Sequence, residues 1–112
     1  MTADDVRACA LELPRTEEHL IRDSVRFRIG RIVYLALSPD ETVMAFAFPR
    51  EERASLIAAE PEKFFMPRPS DERFNWLRAR MSELSVEEMR ELTIDAWRMC
   101  VPKKVAAAHL GG

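Results

Sequence analysis

Apolar side chains recur at every second position after residue 24, and this alternation restricts the fold more than any other feature of the sequence. Val25, Phe27 and Ile29 alternate with Arg26 and Arg28. Successive side chains of a β-strand point to opposite faces, so the pattern predicts a strand with one buried face and one charged face. A slip of one residue would exchange the two faces, and burial of the apolar set therefore fixes the register.

Turn signals around this strand predict an antiparallel meander. Gly30-Arg31 is a Gly-X pair suited to a two-residue type II′ hairpin, and the apolar run 32–37 follows it. Residues 38–41 carry proline at the second turn position, and a further strand is predicted over 42–48. We expect a short strand at Leu20-Ile21 before the meander. The buried face of the third meander strand is predicted to be Met44, Phe46 and Phe48.

Two helices are indicated by capping residues followed by apolar spacing near 3.6. Thr2 followed by Asp5 predicts the start of a first helix that ends before residue 14, and Ser85 followed by Glu88 is a capping box for a long late helix. The predicted core faces are Val6, Cys9, Ala10 and Leu13 on the first helix, and Met89, Leu92, Ala96, Met99 and Cys100 on the late one.

Prolines mark the remaining helical segments. Pro49 suits the first turn of a middle helix, which Pro61 ends. Pro102 breaks or kinks the late helix, and one more short helix is predicted over 103–110. A frayed tail is expected at Gly111-Gly112.

Between the middle and late helices the sequence predicts an irregular crossover followed by a strand. Pro67 and Pro69 make residues 62–73 irregular, and alternation returns over 74–81. Leu77, Ala79 and Met81 are predicted to join Val25, Phe27 and Ile29 against the helices, while Phe74, Trp76, Arg78 and Arg80 take the other face.

Length and composition favour one globular domain over residues 1–112. The chain is 47% hydrophobic and 32% charged, with no biased tract. No apolar stretch approaches the roughly 20 residues that a membrane span needs, and the first ten residues carry acids where a signal peptide carries bases. We therefore expect a cytoplasmic protein without a membrane partner, in which Cys9 and Cys100 are reduced.

The charges are unevenly distributed although the net charge is only −2. Residues 22–31 carry four arginines against Asp23, while residues 83–91 carry four glutamates against Arg90. Such a balance does not favour strong non-specific nucleic-acid binding, but it indicates a polarised molecule.

The order of elements and several local segments resemble the MmcQ/YjbR family over almost the whole chain. The resemblance implies a CyaY-like (frataxin-like) α+β fold, in which helices pack on one face of an antiparallel β-sheet. Members are commonly labelled DNA-binding, and the family supplies no catalytic motif. The matching segments are Ala8-Cys9-Ala10-Leu11-Glu12-Leu13-Pro14, Val25-Arg26-Phe27-Arg28-Ile29-Gly30, Pro49-Arg50-Glu51-Glu52-Arg53, Trp76 at the opening of its strand, and the Glu88 to Arg98 helix before Lys103-Lys104.

The helix-free face of the sheet is the predicted binding surface, because arginines and an aromatic side chain alternate with the buried residues of two strands. Such a surface can hold phosphates and stack bases. With the family label, it predicts a non-enzymatic module that binds DNA weakly and non-specifically. A protein-interaction or homodimerisation surface on the same face, or a plain solvated face, are the alternatives. The predicted contact set is Arg26, Arg28, Arg31, Trp76, Arg78 and Arg80.

Catalytic and metal chemistry have little support in the sequence, and we expect neither a cofactor nor a metal. Cys9 and Cys100 lie on apolar stripes and favour core packing, while His19 and His109 lack metal-ligand spacing. A frataxin-like fold raises the alternative of weak iron binding along an acidic ridge, although Arg7 and Arg15 interrupt its acids, and helix-start acids also complement the macrodipole. The ridge candidates are Asp4, Asp5, Glu12, Glu17 and Glu18.

Overall fold

The computed structural model describes residues 1–110, which form a six-stranded sheet with helices packed on its inner face. Two single 3₁₀ turns, Pro69–Asp71 and Met81–Glu83, flank the last strand. The strands and α-helices are α1 (Ala3–Leu11), β1 (Thr16–Ile21), β2 (Ser24–Ile29), β3 (Ile32–Leu37), β4 (Val43–Ala47), α2 (Arg50–Ala59), β5 (Phe64–Phe65), β6 (Trp76–Arg80), α3 (Val86–Arg98) and α4 (Lys103–His109).

The sheet combines a meander with one crossover. The strands lie in the order β1-β2-β3-β4-β6-β5, and every neighbouring pair is antiparallel. After β4 the chain runs through α2 and β5 before β6 returns to pair with β4. The predicted α+β class, an antiparallel sheet with helices on one face, is confirmed.

The first strand is longer than predicted. All six residues of β1 pair with β2, whereas the sequence indicated only Leu20-Ile21. Arg22 and Asp23 join the strands with φ of 51° and 65°. Positive φ at both central residues is the requirement for a type I′ hairpin, whose twist matches that of the strands. Gly30 has a φ of 59°, which fits the first position of the predicted type II′ turn.

The predicted register of the core face is confirmed. Phe27 pairs with Leu35, Leu35 with Phe46, and Phe46 with Leu77, so the four side chains form one row across the sheet. All four are fully buried. Ala79 and Met81 are also buried as predicted, while Val25 and Ile29 are half-buried.

A β-bulge interrupts the pairing of β2 with β3. Phe27 opposes Leu35 and Arg28 opposes Val33, which leaves Tyr34 as the extra residue. Tyr34 is fully buried, and its hydroxyl shares a 2.8 Å hydrogen bond with the hydroxyl of Thr16 on β1. The bulge therefore lets two consecutive residues of β3, Tyr34 and Leu35, both face the core.

Both predicted capping boxes are present. Thr2 accepts from the backbone N–H of Asp5 while the Asp5 carboxylate accepts from that of Thr2, and Ser85 and Glu88 exchange the same bonds. Cys9 lies on the core side of α1, and burial raises the pKa of its thiol. Its predicted role as a small packing residue is confirmed.

The core face of α3 differs from the predicted one. Met99 is 43% exposed, whereas Thr93 and Trp97 are fully buried. The Trp97 indole N–H donates to the carbonyl of Pro14 at 2.9 Å, and the ring meets His109 of α4 edge-on with 5.4 Å between centroids. Because of this contact, the buried face of α3 includes Trp97, which reaches the chain just after α1, and does not include Met99. Met89 and Ala96 are buried as predicted, Leu92 and Cys100 are half-buried, and the predicted frayed tail lies outside the described residues.

Candidate functional site

A straight row of side chains crosses the outer face of the sheet, opposite the helices. Arg26 on β2 pairs with Ala36 on β3, Ala36 with Ala45 on β4, and Ala45 with Arg78 on β6. Paired residues in neighbouring strands point to the same face. The two arginines therefore stand on either side of a floor made by two alanines.

A groove of about 590 Å³ follows this row, and we call it the outer groove. Ala36 and Ala45 line its floor together with Val33 and Val43. The turn after β3 contributes Ser38 and Pro39, and the crossover loop before β6 contributes Pro67, Arg68 and Asp71. The small floor residues and the two raised loops make this part of the sheet concave.

The lining of the outer groove is strongly cationic. Four arginines line it, namely Arg22, Arg26, Arg68 and Arg78, against one acid, Asp71. Among the residues that the structure describes, none of these arginines is in a salt bridge. The Nε atom of Arg26 is also buried without a hydrogen-bond acceptor. The groove thus holds positive charge that the surrounding residues do not neutralise.

Arg78 is held in a fixed position at one wall. Its Nε donates to the carbonyl of Met66 at 2.8 Å, and its guanidinium lies 4.6 Å from the centre of the Phe65 ring. Burial, followed by the positive charge of Arg68, lowers the pKa of Arg78. Arg68 and Arg78 therefore repel each other at this wall, which an anion between them would relieve, while the Asp71 carboxylate offsets part of this repulsion.

Trp76 forms part of the same wall and is half-buried. It pairs with Ala47 on β4, so its indole lies beside the floor and not on it. A half-buried indole next to an apolar floor is a surface on which a planar ring can stack.

The crossover loop is held by a buried arginine that the sequence did not identify as special. Arg53 on α2 is only 6% exposed. Its guanidinium donates to the carbonyls of Phe74 at 3.0 Å and Trp76 at 3.1 Å, and to that of Glu72. The one available signal was an arginine at a helix position where apolar neighbours follow at i+3 and i+4.

The structure brings together three of the six predicted contact residues. Arg26, Trp76 and Arg78 line the outer groove. Arg28 lies on the same face nearer its edge, opposite Glu17 of β1. Arg31 is exposed in the turn between β2 and β3.

Arg80, the sixth, lies outside the groove. Its guanidinium lies 4.5 Å from the centre of the Phe65 ring and donates to the carbonyls of Pro61 and Glu62. Sequence reasoning missed Arg22 and Arg68 as groove residues. Arg22 belongs to the cationic cluster 22–31 that the composition had indicated, whereas Arg68 reaches the groove only through the path of the crossover loop.

The acidic cluster 83–91 lies away from the outer groove, whereas Glu17 of the predicted ridge stands on the outer face opposite Arg28. Glu87 and Glu91 are exposed on α3, which packs against β3 and β4 from the inner side. On α1, Arg7 contacts Asp4 at 2.6 Å and Glu18 of β1 at 2.9 Å, and so neutralises part of the predicted acidic ridge. The predicted charge polarity is thus a separation between the sheet, which carries the arginines of 22–31, and the helical layer, which carries the glutamates of 83–91.

A sequence model described as YjbR matches residues 11–99. The chain belongs to the YjbR family. The match includes every strand of the sheet, and hence both walls and the floor of the outer groove. Comparison with curated proteins gave no significant match.

A solved structure with a similar fold is the Deinococcus radiodurans protein DR2400, reported with the domain DUF419. It is 20% identical, and the alignment covers 98% of this chain and 88% of that one with a TM-score of 0.78. At this identity the likeness establishes the fold of the YjbR domain alone. The CyaY-like comparison is tested by neither match and stays a prediction. No helix within residues 1–110 has the length and apolarity to cross a membrane.

Proposed function

We propose that this YjbR domain is a non-enzymatic module that binds nucleic acid through the outer face of its sheet. The observation that carries the proposal is the outer groove, in which four arginines line a concave apolar floor without carboxylate partners among the described residues. Phosphate oxygens, like carboxylate oxygens, are acceptors that a guanidinium fork matches with two parallel hydrogen bonds. The family label points in the same direction.

The hydrogen bonds that the serine hydroxyls of the outer groove already make agree with a binding function without catalysis. The Ser24 hydroxyl donates to the carbonyl of Leu37 at 2.8 Å, and the Ser38 hydroxyl donates to the carboxylate of Asp40 at 2.7 Å. Hydrogen bonding by Ser38 and Thr42 lowers the pKa of Asp40. A nucleophilic serine needs a base poised near neutral pH, and this turn supplies none.

The affinity is expected to be modest and sensitive to salt. The chain is slightly acidic overall, so long-range attraction of a polyanion is weak and contact depends on the local field of the arginines. We expect dissociation constants in the micromolar range at best. Little sequence discrimination is expected, because no helix of residues 1–110 lies on the outer face to read base edges in a groove of DNA.

Protein association through the same face is the second candidate. Ile21, which lies at one end of the outer groove on the edge strand β1, is 39% exposed. Exposed apolar side chains at a sheet edge can pair with another chain. A homodimer or a protein partner would then cover the groove.

Fluorescence anisotropy with labelled single- and double-stranded oligonucleotides at two salt concentrations tests the proposal. Replacing Arg26 and Arg28 together by alanine should weaken binding, and each lost phosphate contact should reduce the log–log salt slope by about 0.9 on duplex or about 0.7 on single strands. The matched control replaces Arg90 and Arg98 of α3, which removes the same charge from the other layer.

Two results would contradict the proposal. One is the absence of binding by the wild-type domain at low salt. The other is an equal loss in the α3 control, which would mean that only net charge matters. Sedimentation of the wild-type domain in the same buffers would then show whether the face supports self-association.

A further inference from the structure

The floor of the outer groove distinguishes it from a flat cationic surface. Ala36 and Ala45 occupy the two central positions of the row, and Val33 and Val43 lie beside them. Neighbouring strands are about 4.8 Å apart, so the Cα atoms of Arg26 and Arg78 are separated by three intervals, or roughly 14 Å. The space between them is apolar and open to the outside.

This shape suits exposed bases better than a duplex. A duplex carries its phosphates on a convex surface and its bases inside, so it can touch the arginine rim while leaving the alanine floor empty. A single strand can turn a base out of its stack and lay it on an apolar or aromatic surface. The groove volume of about 590 Å³ lies within the range of roughly 300–1,000 Å³ that is typical of small-ligand sites.

We propose that the outer groove binds a short single-stranded stretch of nucleic acid, with a base over Ala36 and Ala45 beside Trp76 and with phosphates at Arg26 and Arg78. This inference rests on the proposed function and names its substrate class. The recognised chemistry is a phosphate next to a planar base, which a free nucleotide also carries. The paired arginines at opposite walls favour a strand, because a strand supplies phosphates on both sides of the base.

Filling the floor without changing any charge provides the sharpest test. Ala45→Ile adds three carbon atoms at the centre of the groove, and β-branched residues are well tolerated on strands. We expect its affinity for a single-stranded oligonucleotide of about eight nucleotides to fall at least tenfold, while its duplex affinity changes by less than about twofold. Ala54→Leu, an exposed substitution on α2, is the matched control and should leave both affinities unchanged.

Trp76→Leu gives a second variant that keeps an apolar side chain but removes the indole plane. Its single-strand affinity should fall by at least about fivefold, with duplex binding again little changed. Urea unfolding of each variant separates loss of binding from loss of folding. A variant that unfolds is replaced by Ala36→Val, which fills the same floor from the neighbouring strand.

The possible results separate the inference from the proposed function. Equal affinity for single strands and duplex, with no effect of Ala45→Ile, would overturn the inference and leave nucleic-acid binding intact. Absence of binding by every oligonucleotide would overturn the proposed function itself. A mononucleotide that binds as tightly as the oligonucleotide would overturn the assignment to a strand and give the groove to a free nucleotide.

Discussion

Replacing Arg53 by methionine should destabilise the domain and loosen one wall of the outer groove. The Arg53 side chain extends from α2 under the crossover loop and binds the carbonyls of Glu72, Phe74 and Trp76. Methionine keeps an unbranched apolar stem of similar reach but donates no hydrogen bond. The variant therefore removes the hydrogen bonds to these three carbonyls while keeping most of the packing of the side chain.

The expected loss of stability depends on whether each of the three carbonyls can find another hydrogen-bond donor after the substitution. A hydrogen bond from a charged donor contributes about 1.5–3 kcal/mol, and a buried group left without a partner costs about 1–3 kcal/mol. Glu72 and Phe74 are exposed, so their carbonyls can turn to water, whereas Trp76 is half-buried in β6. Release of the buried guanidinium charge offsets part of the loss. We expect a net destabilisation of about 2–4 kcal/mol.

Urea unfolding measures this loss directly, since a slope of about 2 kcal/mol per molar urea, the middle of the usual range, turns it into a midpoint shift of about 1–2 M. Native-state amide exchange should quicken over residues 72–76. Arg50→Met is the control, because Arg50 begins the same helix and donates to the neighbouring Arg73 carbonyl but is exposed. A loss below about 1 kcal/mol for Arg53→Met, with unchanged exchange over 72–76, would refute the reasoning.

Two further predictions concern the core. Phe27→Ala should cost roughly 3–5 kcal/mol in urea melts because the ring is fully buried, and a loss well under 1 kcal/mol would contradict that packing. Burial raises the pKa of Tyr34 to about 12 although the Thr16 hydrogen bond opposes this, so the neutral form is favoured in the folded state. Stability relative to Tyr34→Phe should therefore be fully present below pH about 10 and decline as the pH rises toward 12. Tyr34 is the single tyrosine, so its near-ultraviolet titration is unambiguous, and phenolate formation near pH 10 in the folded protein would contradict the prediction.

Local signals predicted most of the fold because they act within a few residues. The alternation around Phe27 determined which face of β2 is buried, and the Ser85-Glu88 capping box determined where α3 begins. Each depends on backbone geometry that the neighbouring residues alone dictate. The same is true of the turn at Gly30, where a positive φ is required.

Features that depend on distant contacts were predicted less well. The extended β1 is stabilised by pairing with β2 and carries few apolar residues of its own, so its periodicity was weak. Met99 fits the helical stripe of α3 as well as Trp97 does, but only Trp97 reaches the carbonyl of Pro14 near the end of α1. The bulge at Tyr34 is likewise accompanied by a hydrogen bond to β1 that no local pattern reveals.

The outer groove could not have been predicted in full because the strand that carries one of its walls, β6, is adjacent to the floor only in space. Arg26 and Arg78 were both placed on the outer face from their own alternation, yet alternation within a strand says nothing of the register between strands. The crossover brings β6 beside β4, and the pairing of Ala45 with Arg78 then aligns two alanines between two arginines. A two-residue shift in that pairing would keep every side chain on its face but would set another side chain of β6 opposite Ala45. The proposed recognition by this surface therefore depends on strand register, and a substitution that shifts β6 should impair binding although all four groove arginines remain in the sequence.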